Sequence, residues 1–267
     1  MAETRRPREL DVAAWQADLG CSTREAAIRD LLLTRVAVAV ASHPELRDEL
    51  LLRGGLALHR LVLPSPLRAC VALEYARRST SGIGAVLDAL REAADEVGLA
   101  VRTEVRHLPR AYLTPIWSGA PGRLRLRVDL ETRETQPSLP PVRRQLTTSG
   151  DADGPTVLTY DTVELLGLLL RELYRRSRSR DLFDLWVALD RCEVDDTAVL
   201  AAFHHACRLA GLGRITRGTF VARLHRHLAR PTFTRDLEGI VGAGARDFEP
   251  AAASALVTRR LLDRLPR

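Results

Sequence analysis

The sequence predicts an α+β fold, in which residues 1–155 combine N-terminal helices with a small mixed β-sheet and residues 156–267 form a helical domain. The clearest strand signal is the stretch 124–131, where apolar and charged residues alternate. This period of two is typical of a strand with one face in the core and the other in solvent. A helix is predicted over about 81–97 from its apolar spacing. The remaining strand candidates, on either side of that helix, are residues 71–75 and 99–107.

Capping residues mark the predicted helix starts. Ser22 to Glu25 has the form of a capping box with Ser22 as the cap, which predicts a helix over about 23–42. Pro44 suits a first helical position and predicts a short helix to about residue 52. The segment 135–155 is rich in Pro, Ser, Thr and Gly and predicts a long surface connection. The helices of the second half are predicted to begin at Asp161 and at a Ser179 cap, and to cover about 196–210, 217–229 and 249–264.

Composition restricts the chemistry that the chain can perform. It contains no lysine, and all 40 of its basic residues are arginine, so mechanisms that need an ε-amine are excluded. A net charge of +6 modestly favours polyanionic partners, although a solvated basic exterior accounts for it equally well. The four cysteines have no metal-binding spacing, and we expect reduced thiols. The chain lacks a membrane-length apolar run and an N-terminal apolar signal region, so we expect a cytoplasmic protein without a membrane partner.

The stretch from Leu51 to Tyr75 concentrates residues that suit phosphate chemistry. Gly54 and Gly55 open a short helix, where a backbone without side chains can approach a phosphate closely. Further along stand Arg68, Cys70, Ala72 and Glu74, of which the last two share one strand face. This arrangement resembles the start of the catalytic core of the AbiEii/AbiGii-type nucleotidyltransferase toxins, a Gly-Gly pair followed by Arg-x-Ser-x-Asp-Leu-Asp. The resemblance implies a nucleotidyltransferase-like core, with Asp129 as the third acid and phosphate contacts at Gly54, Gly55 and Arg68.

A second part of the family pattern lies far downstream. Residues 163–186, VELLGLLLRELYRRSRSRDLFDLW, resemble the family's helix pair that ends in Arg-Asp-Leu-Phe-Asp-Leu. The two parts together cover about residues 50–190 in the family's order. The resemblance implies ligand-binding roles for Arg180, Asp181 and Asp184.

The chain departs from the family pattern at positions that carry charge in the family. Ala72 replaces the first aspartate, Glu74 the second, and Leu169 the nucleotide-binding lysine. Glu74 and Asp129 remain as catalytic candidates and as ligands for one weakly held Mg²⁺, because two carboxylates rarely hold two such ions. Canonical metal-dependent transfer is therefore doubtful. Residues 168–170 are expected to form an apolar wall in the old nucleotide cleft.

Two interpretations follow. The first is a repurposed protein with a degraded metal and nucleotide site, which binds a small-molecule or nucleotide-derived ligand or performs biosynthetic chemistry, with no specified cofactor. The alternative is an active toxin that transfers a nucleotide from a nucleoside triphosphate to tRNA or protein with Mg²⁺, and that has an antitoxin partner.

Three further features have a functional and a structural interpretation. The arginine run from Arg175 to Arg180 could bind an RNA backbone or form a solvated helix junction in which Arg180 pairs with Asp184 or Glu164. Cys70 is expected to be a small buried residue rather than a nucleophile. The histidines at 204–205 and 225–227 diverge around their helices and are expected to lie on the surface.

Overall fold

The computed structural model describes residues 9–105, 108–116, 124–146 and 154–267. A π-helical turn, Leu58–Val62, directly follows the short helix Gly54–Ala57. Short 3₁₀ helices cover Phe233–Leu237, Ala243–Ala245 and Leu262–Arg264. The α-helices of the described residues are α1 (Glu9–Leu19), α2 (Arg24–Ser42), α3 (Gly54–Ala57), α4 (Gly84–Glu96), α5 (Thr162–Arg176), α6 (Ser179–Arg191), α7 (Asp196–Leu209), α8 (Arg217–Leu228) and α9 (Pro250–Arg260). The strands are β1 (Leu50–Arg53), β2 (Leu73–Arg77), β3 (Leu99–Glu104), β4 (Arg110–Pro115), β5 (Leu126–Glu131), β6 (Val142–Gln145) and β7 (Thr156–Thr159).

Within these residues the strands form one seven-stranded sheet with the order β3-β4-β5-β2-β1-β7-β6. The pairs β2–β5 and β1–β7 are parallel, and the other neighbouring pairs are antiparallel. The sheet is therefore mixed, and the predicted α+β class is confirmed.

The two faces of the sheet differ in chemistry because each strand alternates its side chains. On β5, Leu126, Val128 and Leu130 are fully buried, while the residues between them are half-buried and charged. Helix α4 buries its apolar stripe and contacts β3 and α2. Each fully buried Leu or Val contributes about 1.5–3 kcal/mol through the hydrophobic effect. The apolar face thus anchors the sheet, and the charged side chains of β5 lie on the opposite face.

The described residues fall into two compact units. The first contains the sheet and comprises residues up to Gln136, Pro141–Tyr160 and Gly239–Gly244. The second is helical and comprises Pro137–Pro140, Asp161–Glu238 and Ala245–Arg267. None of the described helices has the combination of length and apolar composition that crossing a membrane requires.

Several local predictions were wrong. Thr23, not Ser22, caps α2 by accepting a hydrogen bond from the amide of Ala26. Residues 44–49 form turns, and the predicted helix there gives way to β1, whose four residues are all buried. A short run that is apolar throughout has no periodicity to distinguish a central strand from a buried helix. Ser179 is the first residue of α6 rather than its cap, which is Arg178.

The predicted connection over 135–155 contains strand β6, and β4 and β7 were also missed. Strand β6 reads Val-Arg-Arg-Gln and has no apolar alternation, because it pairs on one side only, with β7. The candidate strand over 99–107 ends at Glu104, and its residues 106–107 lie outside the described residues. Strand β2 begins at Leu73, two residues later than predicted.

Candidate active site

Two glycines form the junction between strand β1 and helix α3. Gly54 has a φ of +72°, a left-handed backbone conformation that disfavours any residue with a Cβ. A Cβ at Gly54 would lie 3.1 Å from Oε2 of Glu74, and one at Gly55 would lie 2.1 Å from a terminal nitrogen of Arg68. The backbone conformation therefore requires glycine at position 54, and the turn lies directly against Glu74 and Arg68.

Glu74 and Asp129 occupy paired register positions on the parallel strands β2 and β5. Neighbouring strands lie about 4.8 Å apart and paired residues point to the same face, so these side chains are adjacent. Both are half-buried. Ala72, at the position of the missing aspartate, lies two residues before Glu74 and just outside β2. The structure thus brings together the two carboxylates selected from the sequence, and their catalytic role stays a prediction.

Asp129 lies between two guanidinium groups. Nε of Arg110 donates to Oδ1 at 3.0 Å, and Nε of Arg127 forms an ion pair with Oδ2 at 3.0 Å. Burial raises the pKa of Asp129 above its usual value, and the charge of Glu74 adds to that rise. The charges of Arg127 and Arg110 oppose the rise without cancelling it. Asp129 is therefore a stronger base than a solvated aspartate.

A row of charged residues crosses the central strands of the sheet. Arg53 pairs in register with Glu74, and Arg110 pairs in register with Asp129, so a basic residue flanks each carboxylate. Arg53 also forms an ion pair of 3.3 Å with Glu134, and both side chains are buried. The arginines of this row were not selected from the sequence. Alternation along β5 could have indicated Arg127, whereas Arg110 lies on β4, which was not predicted.

Arg68 is fixed by its own segment of chain. Its guanidinium donates to the carbonyl of Ala69 at 3.0 Å, and the side chain is only 4% exposed. Its backbone forms a β-bridge with Val241. Cys70 is a free, buried cysteine whose backbone N–H donates to Oδ1 of Asp30 at 2.7 Å. The side chain of Arg68 is thus held against Gly55.

Asp30 is the centre of a buried polar network in the first unit. The side chain is completely buried, accepts a hydrogen bond from Nε1 of Trp15 at 2.9 Å and forms an ion pair with Arg60. The guanidinium of Arg60 lies 4.4 Å from the Trp15 ring centroid. Through Cys70 the network fixes the chain that enters β2. The sequence offers no signal for it, because its members are far apart along the chain.

The three remaining predicted site residues lie on α6, in the second unit. Arg180 forms an ion pair with Asp236, Nε to Oδ2, at 3.4 Å. Asp181 is buried and pairs with Arg176 at 3.3 Å, which joins α6 to α5. Asp184 is 2% exposed. These contacts support a structural role for Arg180 and Asp181, and the predicted convergence of all three with the first unit's residues stays a prediction.

The remaining motif positions are on α5 of the same unit. Glu164 is buried and accepts hydrogen bonds from the backbone amides of Ser138 and Leu139 at 2.7 and 3.0 Å. Leu169, at the family's lysine position, is 4% exposed, and its neighbours on α5 are buried too. A Cβ at Gly167 would lie 2.7 Å from the amide nitrogen of Phe203, so close packing of α5 on α7 accounts for that glycine. The predicted apolar wall remains untested as a cleft surface.

Glu74 and Asp129 are the metal ligands predicted from the sequence. Throughout the part of the chain that the structure describes, no group of three or more His, Cys, Asp and Glu side chains is placed to hold a metal ion. His204 and His225 are exposed, and His205 and His227 are half-buried. Glu74 and Asp129, with Arg68 and the glycine turn beside them, stay a predicted site for a metal–phosphate ligand.

The first unit thus combines a mixed sheet, a glycine turn and two adjacent carboxylates. The family described as "Nucleotidyl transferase AbiEii toxin, Type IV TA system" matches residues 35–256, and the chain belongs to this family. The resemblance seen in the sequence is thereby confirmed.

Solved structures that share the fold include the following two. One is MenT4, a nucleotidyltransferase toxin from Mycobacterium tuberculosis H37Rv, at 16% identity and a TM-score of 0.61, covering 95% of this chain and 90% of MenT4. The other is JHP933 from Helicobacter pylori, at 12% identity and a TM-score of 0.51, covering 89% of this chain and 90% of that protein. Comparison with curated protein sequences gave no significant match.

Proposed function

We propose that this protein is a nucleotidyltransferase toxin that transfers a nucleotide from a nucleoside triphosphate to an acceptor hydroxyl on tRNA or protein. The observation that carries the proposal is the register pairing of Glu74 with Asp129 beside the Gly54–Gly55 turn. Family membership over residues 35–256 supports it. The acceptor oxygen would bond to the α-phosphorus, pyrophosphate would leave, and the hydroxyl proton would be released.

The residues present fit a single magnesium ion. Mg²⁺ commonly binds through one or two carboxylates together with water and substrate phosphates, which is what Glu74 and Asp129 can offer. When bound, such an ion would neutralise charge on the triphosphate. Ala72 provides no ligand for a second ion. Because Asp129 already contacts Arg110 and Arg127, it is a weaker metal ligand than an unpaired aspartate.

The chain's own residues would position the triphosphate. The glycine turn permits close approach of a phosphate to the backbone at the start of α3. Arg68 lies against Gly55, and Arg110 and Arg127 lie beside Asp129, so three guanidinium groups surround the turn and the carboxylates. Arginine binds phosphate oxygens through two parallel hydrogen bonds, which compensates in part for the missing lysine.

A labelling experiment tests the proposal. The purified protein is incubated with each of the four α-labelled nucleoside triphosphates, with total tRNA or with cell protein, in the presence of Mg²⁺ and after chelation. We expect metal-dependent labelling of one acceptor class. Glu74→Gln should reduce it on the order of a hundredfold, since a metal ligand contributes several kcal/mol to transfer.

Glu104→Gln is the matched control, because Glu104 lies on the same face of the sheet on strand β3, three places along the sheet order from β2, and forms ion pairs with the exposed Arg102 and Arg125. It should leave labelling unchanged. Melting temperatures of both variants separate loss of chemistry from loss of folding. If no nucleotide labels any acceptor above the Glu74→Gln background, the transferase proposal is wrong.

A repurposed ligand-binding or biosynthetic protein is the second candidate. It is favoured by Ala72 and by the buried Leu169, which remove one carboxylate and the family's lysine. The family match and the fold shared with MenT4 support the transferase better. We further propose an antitoxin as the cellular partner, since the family is described as a type IV toxin–antitoxin component, and a cytoplasmic location as its setting. Coexpression with the neighbouring gene product, followed by a growth assay, tests the proposal of an antitoxin partner.

A further inference from the structure

A pocket of about 420 Å³ lies entirely within the second unit. This volume is within the range of about 300–1,000 Å³ that small-molecule sites occupy. The pocket is formed where the loop between α5 and α6 meets the end of α8 and the following 3₁₀ helix. Its lining includes five arginines and one histidine, Arg176, Arg178, Arg180, Arg230, Arg235 and His227.

The arginines of this pocket differ in their ion pairs. Arg176 contacts the carboxylates of Glu172 and Asp181, and Arg180 contacts Asp236. Asp236 also accepts a hydrogen bond from Ser179. The charges of these residues are thus largely compensated within the second unit.

Three further arginines of the pocket lining, Arg178, Arg230 and Arg235, differ from these in their ion pairs. Across the described residues, no ion pair to a carboxylate is found for Arg178, Arg230 or Arg235, and all three side chains are exposed. They come from three separate elements: the α5–α6 loop, the end of α8 and the 3₁₀ helix Phe233–Leu237. The pocket therefore concentrates uncompensated positive charge that no single helix produces.

The positive charge of the pocket affects the pKa of its histidine, His227. Burial lowers the pKa of His227, and the charges of Arg230, Arg223 and Arg226 lower it further. A neutral imidazole can donate a hydrogen bond to an anion without adding to the repulsion among the arginines. The hydroxyl of Thr232 and the ring of Phe233 complete the lining. Guanidinium, imidazole and hydroxyl donors together suit phosphate oxygens.

We propose that this pocket binds a ligand with two or more phosphate groups, held by the guanidinium groups of Arg178, Arg230 and Arg235. A free polyphosphate, such as the tail of a nucleotide, and the phosphodiester backbone of RNA offer the same groups. The inference concerns binding alone and does not depend on nucleotidyl transfer. A basic exterior without a specific site is the competing explanation, because arginine is abundant over the whole chain.

Binding measurements on matched variants distinguish these cases. Sodium triphosphate, orthophosphate and a fluorescein-labelled single-stranded RNA are titrated into the full chain and into the triple variant Arg178→Gln, Arg230→Gln, Arg235→Gln. The control triple variant Arg191→Gln, Arg214→Gln, Arg246→Gln removes the same charge from exposed positions of the same unit outside the pocket. Each variant is measured again in a Glu74→Gln background, so that a failed transferase proposal leaves the binding result readable.

We expect the pocket variant to lose affinity on the order of tenfold for each arginine removed, and the control variant to lose less than about threefold through general charge. Triphosphate should also raise the pKa of His227, followed by NMR, in the parent chain and not in the pocket variant. If triphosphate displaces bound RNA from the pocket, the ligand is identified as an RNA backbone. If triphosphate binds and RNA does not, the ligand is identified as a free polyphosphate. Equal losses of affinity in the two triple variants would overturn the proposal, and so would the absence of binding by both triphosphate and RNA.

Discussion

At the residue scale, Asp129 shows how burial and charge compete on one side chain. Its carboxylate contacts two guanidinium groups, which alone would lower its pKa, yet burial and the neighbouring Glu74 prevail and raise it. Two like charges at adjacent register positions repel, and the arginines on either side allow both to persist. A cation bound between Glu74 and Asp129 would relieve this repulsion.

The first prediction concerns the titration of Asp129. Carboxyl-carbon NMR should place its pKa above the ordinary value of 3.8. Glu74→Gln should lower that pKa by removing a like charge, and Arg127→Gln should raise it by removing a counter-charge. Unchanged values in both variants would show that the two side chains do not interact with Asp129.

The second prediction is the matching pH dependence of stability. The folded-state pKa of Asp129 is raised, so the folded protein binds its proton more tightly than the unfolded chain does. This stabilisation is fully present below pH 3.8 and is lost as the pH rises through the folded pKa. Asp129→Asn, which cannot ionise, should therefore be more stable relative to the parent at neutral pH than in acid. Urea titrations across this window measure the difference, and the opposite slope would contradict the raised pKa.

The third prediction concerns Gly54. Its φ of +72° and the 3.1 Å approach of a Cβ to Glu74 both oppose any side chain. Gly54→Ala should destabilise the fold by about 1–2 kcal/mol and displace Glu74. Gly82→Ala is the control, because its φ is not positive and no heavy atom lies within 4 Å of its added Cβ. Equal melting temperatures for the two variants would remove the argument for a required glycine.

At the element scale, the sequence predicts those strands and helices that bury one face, because their apolar residues recur with a strand or helix period. Elements without such a period could not be predicted. Strand β5 and helix α4 each bury one face, so their sequences carry the period. Strand β1 is buried throughout, and β6 is a polar edge strand, so neither carries a period of two. The same reasoning applies to the site. Glu74 and Asp129 followed from strand alternation and the family pattern, whereas Arg110 required the unpredicted strand β4.

The fourth prediction concerns the network that connects α1 and α2 to the start of β2. Asp30 is completely buried and Arg60 is 3% exposed, so Asp30→Ala would leave a buried charge without its carboxylate. Such a loss costs about 3–5 kcal/mol. The pair Asp88–Arg91 on α4 is largely exposed, and Asp88→Ala should cost only about 0.5 kcal/mol or less. Denaturant unfolding compares the two variants, and similar losses would show that the network does not anchor the fold.

At the scale of the whole molecule, the chain keeps the nucleotidyltransferase frame while reducing its charge-binding groups. The glycine turn, Arg68 and two carboxylates remain in the first unit, and the helix pair with its Arg-Asp-Leu-Phe-Asp-Leu run remains in the second. With no lysine anywhere in the chain, every cationic phosphate contact must be made by arginine, whose planar group cannot replace an amine at the same position. If the proposed function holds, nucleotide affinity depends on whether two carboxylates suffice to bind the metal ion.

The fifth prediction tests that dependence by restoring the missing acid. Calorimetry with ATP, GTP, CTP and UTP should show weak binding to the parent chain, since the proposed metal ligands are two carboxylates, Glu74 and Asp129, and Asp129 is already paired with arginines. Ala72→Asp places a carboxylate two residues before Glu74 and should tighten Mg²⁺-dependent binding on the order of tenfold or more. Without Mg²⁺ the added negative charge should weaken binding instead.

Ala100→Asp serves as the control for that variant, because Ala100 is exposed on strand β3, far along the sheet order from β2, and gains the same charge. It should show neither the gain with Mg²⁺ nor the loss without it. If Ala72→Asp behaves like Ala100→Asp, position 72 does not belong to a metal–triphosphate site. Tight Mg²⁺-dependent binding by the unaltered chain would instead show that two carboxylates suffice, and that the substitutions at 72 and 169 adjust the site rather than disable it.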